Sequence, residues 1–268
     1  MAFKRQKWIF RDSIEYDYTY MGRYGAKGEK RGKRKKATPE QVSRQNQWNR
    51  IKKMRRLMKQ NFSHGDLWVT LKYKRGTRKP LGEVLKDFKK FREFLRRFYR
   101  KLGEQLKYIY RIEIGSRGGI HIHILLNRIQ SGAETDVVVQ RAWEPFGRVN
   151  YEAVYEQGQF KDLAAYIVKM PDEETEKQLS LFPEKERKQL LKYSCSRNLE
   201  RPVPEVKEYK NRTMRKVIEN GPEPTKGFYI DPDSVVCGIN PYTGMSYLQY
   251  IEYPLHRDRN GPERSKDG

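Results

Sequence analysis

The chain is poor in the residues that build secreted and membrane proteins. Its 268 residues include two cysteines, Cys195 and Cys237, too few for a disulfide framework or a cysteine-built metal cluster. No apolar run reaches the roughly 20 residues that a membrane-crossing helix needs. The start, MAFKRQKWIFRDS, is basic and lacks the hydrophobic stretch of a signal peptide. These shortages set the expectation of a cytoplasmic protein with no membrane partner. Histidine is scarce too, at four residues, and the 34 acidic residues are outnumbered by 57 lysines and arginines, for a net charge of +23. That imbalance points to a polyanionic partner. An aromatic content of 12% adds stacking surfaces, which favours nucleic acid over a membrane surface. The length suits one substantial domain with extensions, and a hydrophobic content of only 36% fits an ordinary core flanked by solvated segments.

Against this background, residues 108–127, YIYRIEIGSRGGIHIHILLN, stand out. They read as two strands around a glycine turn, with Gly118-Gly119 supplying the backbone freedom for the reversal. Residues two apart on a strand share a face, so His121 and His123 project together while Ile120, Ile122 and Ile124 point the other way, toward a core. A turn of three residues, Ser116–Gly118, sets Glu113 opposite His121, and a turn of five sets it opposite His123. An even number sends Glu113 to the far face, because one step of register inverts every side chain. Two imidazoles and a carboxylate with positions left open suit Mn²⁺ or Mg²⁺, which can also hold a phosphate oxygen. Histidines as idle filler in so apolar a strand would be an odd use of polar groups.

The rest of the chain frames this hairpin. Residues 1–37 read as a flexible basic arm through GRYGAKGEKRGKRKK. Thr38, Pro39 and Gln41 form a capping-box start for a helix running to about Gln60, with Trp48, Ile51, Leu57 and Met58 on one side. Leu67–Tyr73 is a strand. Residues 81–102 form the clearest helix, with Val84, Leu85, Phe88, Phe91, Phe94, Leu95, Phe98 and Leu102 in one stripe and Gly103 as its stop. A short helix follows from Thr135 to Trp143, then a strand from Gly147 to Val154 and a helix from Phe160 to Met170. Residues 172–192 are charged, with a helix after Pro183. Beyond Pro202, short strands fit at Phe228–Ile230 and Met245–Tyr253. The whole is expected to be α+β: an antiparallel sheet with helices packed on one face, spanning residues 62–200. A basic arm and helix (1–61) precede it, and an irregular C-terminal extension (201–268) follows.

In the helix 160–170, Tyr166 and Lys169 are three apart and share a face. A tyrosine hydroxyl can attack a phosphodiester when its deprotonation is assisted and the phosphate charge is neutralised, as a neighbouring ammonium and a divalent ion do. Tyr-x-x-Lys alone is a common accident; downstream of His-x-His in a chain this basic it gains weight.

The order LWVTLKY, GGIHIHILL, AAYIVK resembles the three motifs of the HUH endonucleases, specifically the single-tyrosine rolling-circle replication initiators. The likeness covers residues 62–200, including KYSCSRNLERP (192–202), similar to a stretch that follows the tyrosine helix in initiators from Gram-positive hosts. It implies His121, His123 and Glu113 as metal ligands for Mn²⁺ or Mg²⁺, Tyr166 as nucleophile and Lys169 as the lysine that helps to order metal or phosphate. It further implies nicking of origin DNA, presented as a single strand or hairpin, through a 5′-phosphotyrosine intermediate that later rejoins ends. Basic and aromatic residues near the sheet, Lys72, Tyr73, Arg117 and Arg197, are candidates to hold the strand. No GxxxxGK[ST] segment is present, so strand separation is expected to fall to a host helicase. A relaxase or single-strand transposase would keep this chemistry. A non-catalytic basic regulator would keep only the nucleic-acid binding.

Overall fold

The computed structural model of the chain describes residues 3–21, 32–115, 118–154, 159–210, 212 and 214–255. In chain order the elements are β1 (Phe3–Ile9), β2 (Ile14–Tyr20), α1 (Pro39–Asn61), β3 (Leu67–Tyr73), α2 (Leu81–Lys101), β4 (Tyr108–Ile114), β5 (Ile120–Leu126), α3 (Thr135–Trp143) and β6 (Gly147–Ala153). Then come α4 (Gln159–Ile167), α5 (Glu173–Ser180), α6 (Glu184–Leu190), β7 (Tyr193–Cys195), β8 (Glu205–Tyr209), α7 (Arg215–Glu219), β9 (Phe228–Ile230), β10 (Val236–Asn240) and β11 (Met245–Pro254). The fold is α+β with two antiparallel sheets. It divides into two compact units, one of residues 43–201 and one drawn from residues 1–42 and 202–268.

The 43–201 unit is built on a five-stranded sheet in the order β6-β3-β5-β4-β7. Its central strand, β5, carries the two histidines. One face is aliphatic: Leu67, Val69 and Leu71 of β3 and Ile122, Ile124 and Leu126 of β5 are buried against Val84, Phe88, Phe91 and Leu95 of α2 and Val139 and Trp143 of α3. The α2 stripe is the one expected from its spacing, and Gly103, at φ +72°, follows the helix as its stop. Leu179 of α5 and Leu190 of α6 join the same core.

The other face is covered as well, which corrects the expectation of helices on one face only. Met54, Leu57 and Met58 of α1 and Phe160, Leu163, Ala164 and Ile167 of α4 pack on Trp68, Ile109 and Leu125. The apolar stripe of α1 is set by Met54 and Met58, so Trp48, expected on the buried side, is 43% exposed, while Arg56 is buried. The capping box is as read: Gln41 N–H donates to Thr38 Oγ1 and Thr38 N–H donates to Gln41 Oε1. Gly147 opens β6 where a Cβ would run into the Lys72 carbonyl, so only glycine lets β6 close on the end of β3.

The second unit revises both ends of the chain. Phe3–Ile9 and Ile14–Tyr20, expected within a flexible arm, are strands of a sheet in the order β10-β11-β2-β1-β8, with β9 on β11. Gly32 N–H and Lys35 N–H donate to the carbonyls of Gly244 and Pro241, so part of the basic run is held to the β10–β11 turn. The extension after Pro202 supplies β8 to β11 rather than irregular chain. The core here is aromatic: Phe3, Tyr16, Tyr18 and Tyr250 are buried with Ile14, Met214 and Leu248.

Candidate functional site

The hairpin register decides the site. Gly115 N–H donates to the Gly119 carbonyl (2.8 Å) and Gly118 N–H to the Gly115 carbonyl (2.7 Å), with Gly118 at φ +76°, so the connection is Ser116–Gly118. That is the odd, three-residue turn, and Glu113 pairs with His121 across the strands, as Arg111 does with His123. Ser116 and Arg117 lie outside the described residues, and with them the expected DNA contact of Arg117.

The face shared by Glu113 and the histidines changes along its length. At one end Trp68, Ile109 and Leu125 lie beneath α1 and α4. In the middle, His123 is buried at 8% exposure. At the far end the helices give out, and the His121 side chain is 22% exposed. The cluster therefore sits where apolar cover ends, dry on one side and reachable on the other.

Glu113, His121 and His123 offer ligand atoms that all lie within 4.8 Å of one another. Glu113 Oε2 is 3.4 Å from His123 Nε2 and 3.8 Å from His121 Nε2. This spread is close to that of three ligands around one divalent ion with bonds of about 2.0–2.2 Å. Glu113 Oε1 is buried with no hydrogen-bond donor, although Arg111 Nε and Lys169 Nζ each come within 3.3 Å as ion pairs. A buried carboxylate oxygen without a donor beside two imidazoles fits a hard-to-borderline cation.

Tyr166 enters from α4. Its hydroxyl donates to Glu113 Oε2 at 2.6 Å and lies 2.9 Å from His123 Nε2. Trp68 walls the site, stacked on His123 (5.5 Å between ring centroids, 15° between planes) and edge-on to Tyr166. Thr70 Oγ1 is 3.1 Å from His123 Nδ1, so the far nitrogen of that ring is held and Nε2 is the one turned to the cluster. Lys169 does not lie inside the helix, which ends at Ile167 rather than Met170. It follows in the turn, with Nζ 4.6 Å from the Tyr166 ring centroid.

Arg111 fixes that turn. Its guanidinium is 3% exposed and donates from one nitrogen to the carbonyls of Ile167 (2.9 Å) and Lys169 (2.8 Å). It so satisfies carbonyls that the end of α4 leaves open and places a cation at the negative end of the helix.

These contacts set the protonation states. Burial pushes the Glu113 carboxyl up, but hydrogen bonds to His123 and Tyr166 and the charges of His123 and Lys169 outweigh it and hold it at about 2. Burial, then the neighbouring His123, push His121 down from its ordinary value, which favours the neutral ligand form. Burial and the Glu113 carboxylate push the Tyr166 phenol up, with Arg111 opposing.

Of the residues expected to hold DNA, Lys72 pairs across the strands with His121 and its charge reaches that ring. Tyr73 is one residue on and therefore on the opposite face, where its hydroxyl donates to Asp87 and its ring packs on Trp143. It does not join the site, because strand alternation separates neighbours. Arg197 is exposed beyond β7. Sequence reasoning passed over Trp68, Thr70 and Arg111. All three were within reach, since Trp68 and Thr70 alternate with Lys72 on β3, and Arg111 alternates with Glu113 on β4.

Residues 66–171 match the family model described as replication-associated protein ORF2. The matched segment contains every member of the cluster, from Trp68 to Lys169. Comparison with curated proteins and with solved structures gives no match for the chain. Among the described residues no helix is long and apolar enough to cross a membrane.

Proposed function

We propose that the unit holding residues 66–171, the segment that matches the replication-associated protein family, nicks single-stranded or hairpin origin DNA through Tyr166. The chemistry is of the HUH type used by rolling-circle initiators. The observation that carries the reading is the position of the Tyr166 hydroxyl, within hydrogen-bond reach of two members of a three-residue candidate metal cluster.

Glu113, His121 and His123 would hold a Mn²⁺ or Mg²⁺ ion, which when bound polarises the scissile phosphate and offsets its charge. The phenol oxygen of Tyr166 attacks phosphorus. A tyrosine–phosphate bond forms, the bond from phosphorus to the 3′ oxygen breaks, and that oxygen takes up a proton to leave a 3′-OH primer. The 5′ phosphate stays on the tyrosine, so reversal of the step rejoins ends. Burial and Glu113 hold the phenol proton tightly, so the proton has to leave as attack proceeds rather than beforehand. Lys169, with its side chain 44% exposed, supplies positive charge beside the ring and toward the approaching phosphate. Lys72 at the open end adds a phosphate contact. A host helicase would separate the strands.

The test incubates the full chain with labelled single-stranded oligonucleotides from its own replicon's origin, with Mn²⁺ or with EDTA, and runs a denaturing gel. A metal-dependent adduct that survives SDS and vanishes in Tyr166→Phe is expected. Binding without an adduct across such sequences would leave a non-catalytic DNA-binding regulator in its place. Titration calorimetry with Mn²⁺ reads the metal separately from activity.

A further inference from the structure

The outer face of α2 is a one-sign surface on the side of the sheet away from the cluster. The helix buries Val84, Phe88, Phe91, Leu95 and Tyr99 in the aliphatic core. At 100° per residue, Lys86, Lys90, Arg96, Arg97, Arg100 and Lys101 fall on the opposite, solvent side, and all six are exposed. Two acidic residues, Glu83 and Glu93, share that side, and Glu93 lies 3.9 Å from Lys89.

Such a face is not what helix stability alone selects. Lys86 and Lys90, Arg96 and Arg100, and Arg97 and Lys101 are like-charged neighbours four residues apart, and each such pair weakens a helix. The charged helix α6 of the same unit is mixed in sign and carries a Glu184–Lys188 ion pair at that spacing. The face also lacks an exposed aromatic: Phe94 and Phe98 are half-buried in the core, and Tyr99 is fully buried. Without a ring for bases to stack on, the face reads phosphates and not unpaired bases. From Lys86 to Lys101 it runs about 22 Å at 1.5 Å per residue, the axial length of about six phosphates on one strand of a duplex at 3.4 Å each.

We propose that this face of α2 binds the backbone of double-stranded DNA, without sequence preference, as a second DNA-binding surface on the sheet face opposite the tyrosine site. Its partner follows from the family's replication setting and not from the tyrosine chemistry. A protein that nicks an extruded strand has duplex on either side of it, and this surface would hold that flanking duplex.

The experiment uses the full chain and a short random-sequence duplex, read by fluorescence anisotropy over a series of KCl concentrations. The variant Lys86→Glu/Lys90→Glu/Arg97→Glu/Lys101→Glu is compared with Lys177→Glu/Lys185→Glu/Arg187→Glu/Lys188→Glu, which reverses as many exposed charges on α5 and α6. The α2 variant should bind duplex at least about tenfold more weakly than the control. Its log–log salt slope should be shallower by about 3, at roughly 0.9 for each phosphate no longer neutralised. Adduct formation on a short single-stranded oligonucleotide should be unchanged. Equal losses in the two variants would mean bulk charge and overturn the proposal, as would no loss in either. If the wild-type chain forms no adduct, the nicking reading fails while the duplex titration still decides this one.

Discussion

The two sheets of the molecule solve the same problem with different residues. In the five-stranded sheet one face is closed by Ile, Leu, Val and Phe, and the face behind it is free to carry Glu113, His121 and His123. In the other sheet the core is made of Phe3, Tyr16, Tyr18 and Tyr250, whose rings stack at 4.6–6.4 Å with neighbours and whose hydroxyls need partners inside. Tyr16 finds Thr225, and Tyr18 finds Tyr250. An aliphatic face has no polar atoms to satisfy and leaves the polar positions available for chemistry. The tyrosine core uses its polar atoms to hold itself together. Damage to the first sheet's polar face should therefore appear in chemistry, and damage to the second sheet's core in stability.

The largest effect is expected from His123→Ala. It removes a candidate ligand, the stacking partner of Trp68 and a neighbour of the Tyr166 hydroxyl. Mn²⁺ affinity, read by calorimetry, should fall by more than the roughly 10–100-fold that the hydrogen-bond partners of metal ligands carry, and adduct should disappear while the melting temperature moves little. Near-wild-type Mn²⁺ binding would remove the histidines from any metal site. Next is Tyr250→Ala. Truncating this ring, 3% exposed and stacked on Tyr16, should cost about 3–5 kcal/mol in urea unfolding. A cost below about 1 kcal/mol would mean that the aromatic cluster does not hold its sheet. Smaller again is Thr70→Val, which keeps the shape but removes the hydroxyl 3.1 Å from His123 Nδ1. A loss of about 10–100-fold in Mn²⁺ affinity is expected, with folding intact and with partial rescue by Thr70→Ser.

The same contrast explains what could be read from the sequence. The hairpin was legible because its periodicity is local: alternation puts His121 and His123 together, and an odd turn brings Glu113 to them. Strand β3, helix α3 and the α1 capping box were legible for the same reason, each being written within a few residues. The terminal sheet was not, since β2 pairs with β11 across more than two hundred residues, and IEYDYTY carries its apolar surface as tyrosine rather than as isoleucine or valine. Strand β7 was missed as a three-residue strand of exposed and half-buried positions, identifiable only through its pairing with β4. Within the site, Tyr166 and Lys169 were found by spacing, but their common support by Arg111 depends on two carbonyls at the end of α4 that no sequence pattern marks.

The smallest expected effect concerns acid and bears on how tightly the polar face is tied together. Glu113 is held at about 2 in the folded protein against an ordinary 4.5. Because the folded value is the lower one, the unfolded chain binds the proton first as pH falls. The carboxylate's contribution to stability is therefore fully present above the unfolded value and is lost between about 4.5 and 2. The gap corresponds to at most about 3 kcal/mol at 1.36 kcal/mol per pH unit, reduced to about 1–2 kcal/mol by solvent reaching the open end of the cluster. Urea midpoints measured in EDTA from pH 6 downward should fall more steeply in wild type than in Glu113→Gln, which has no proton to take up there. Curves that stay parallel would mean that the hydrogen bonds from Tyr166 and His123 leave the carboxylate no better stabilised than it is in water. The polar face would then be a set of neighbours rather than a coupled site, and the contrast with the self-bonded tyrosines of the other sheet would lose its basis.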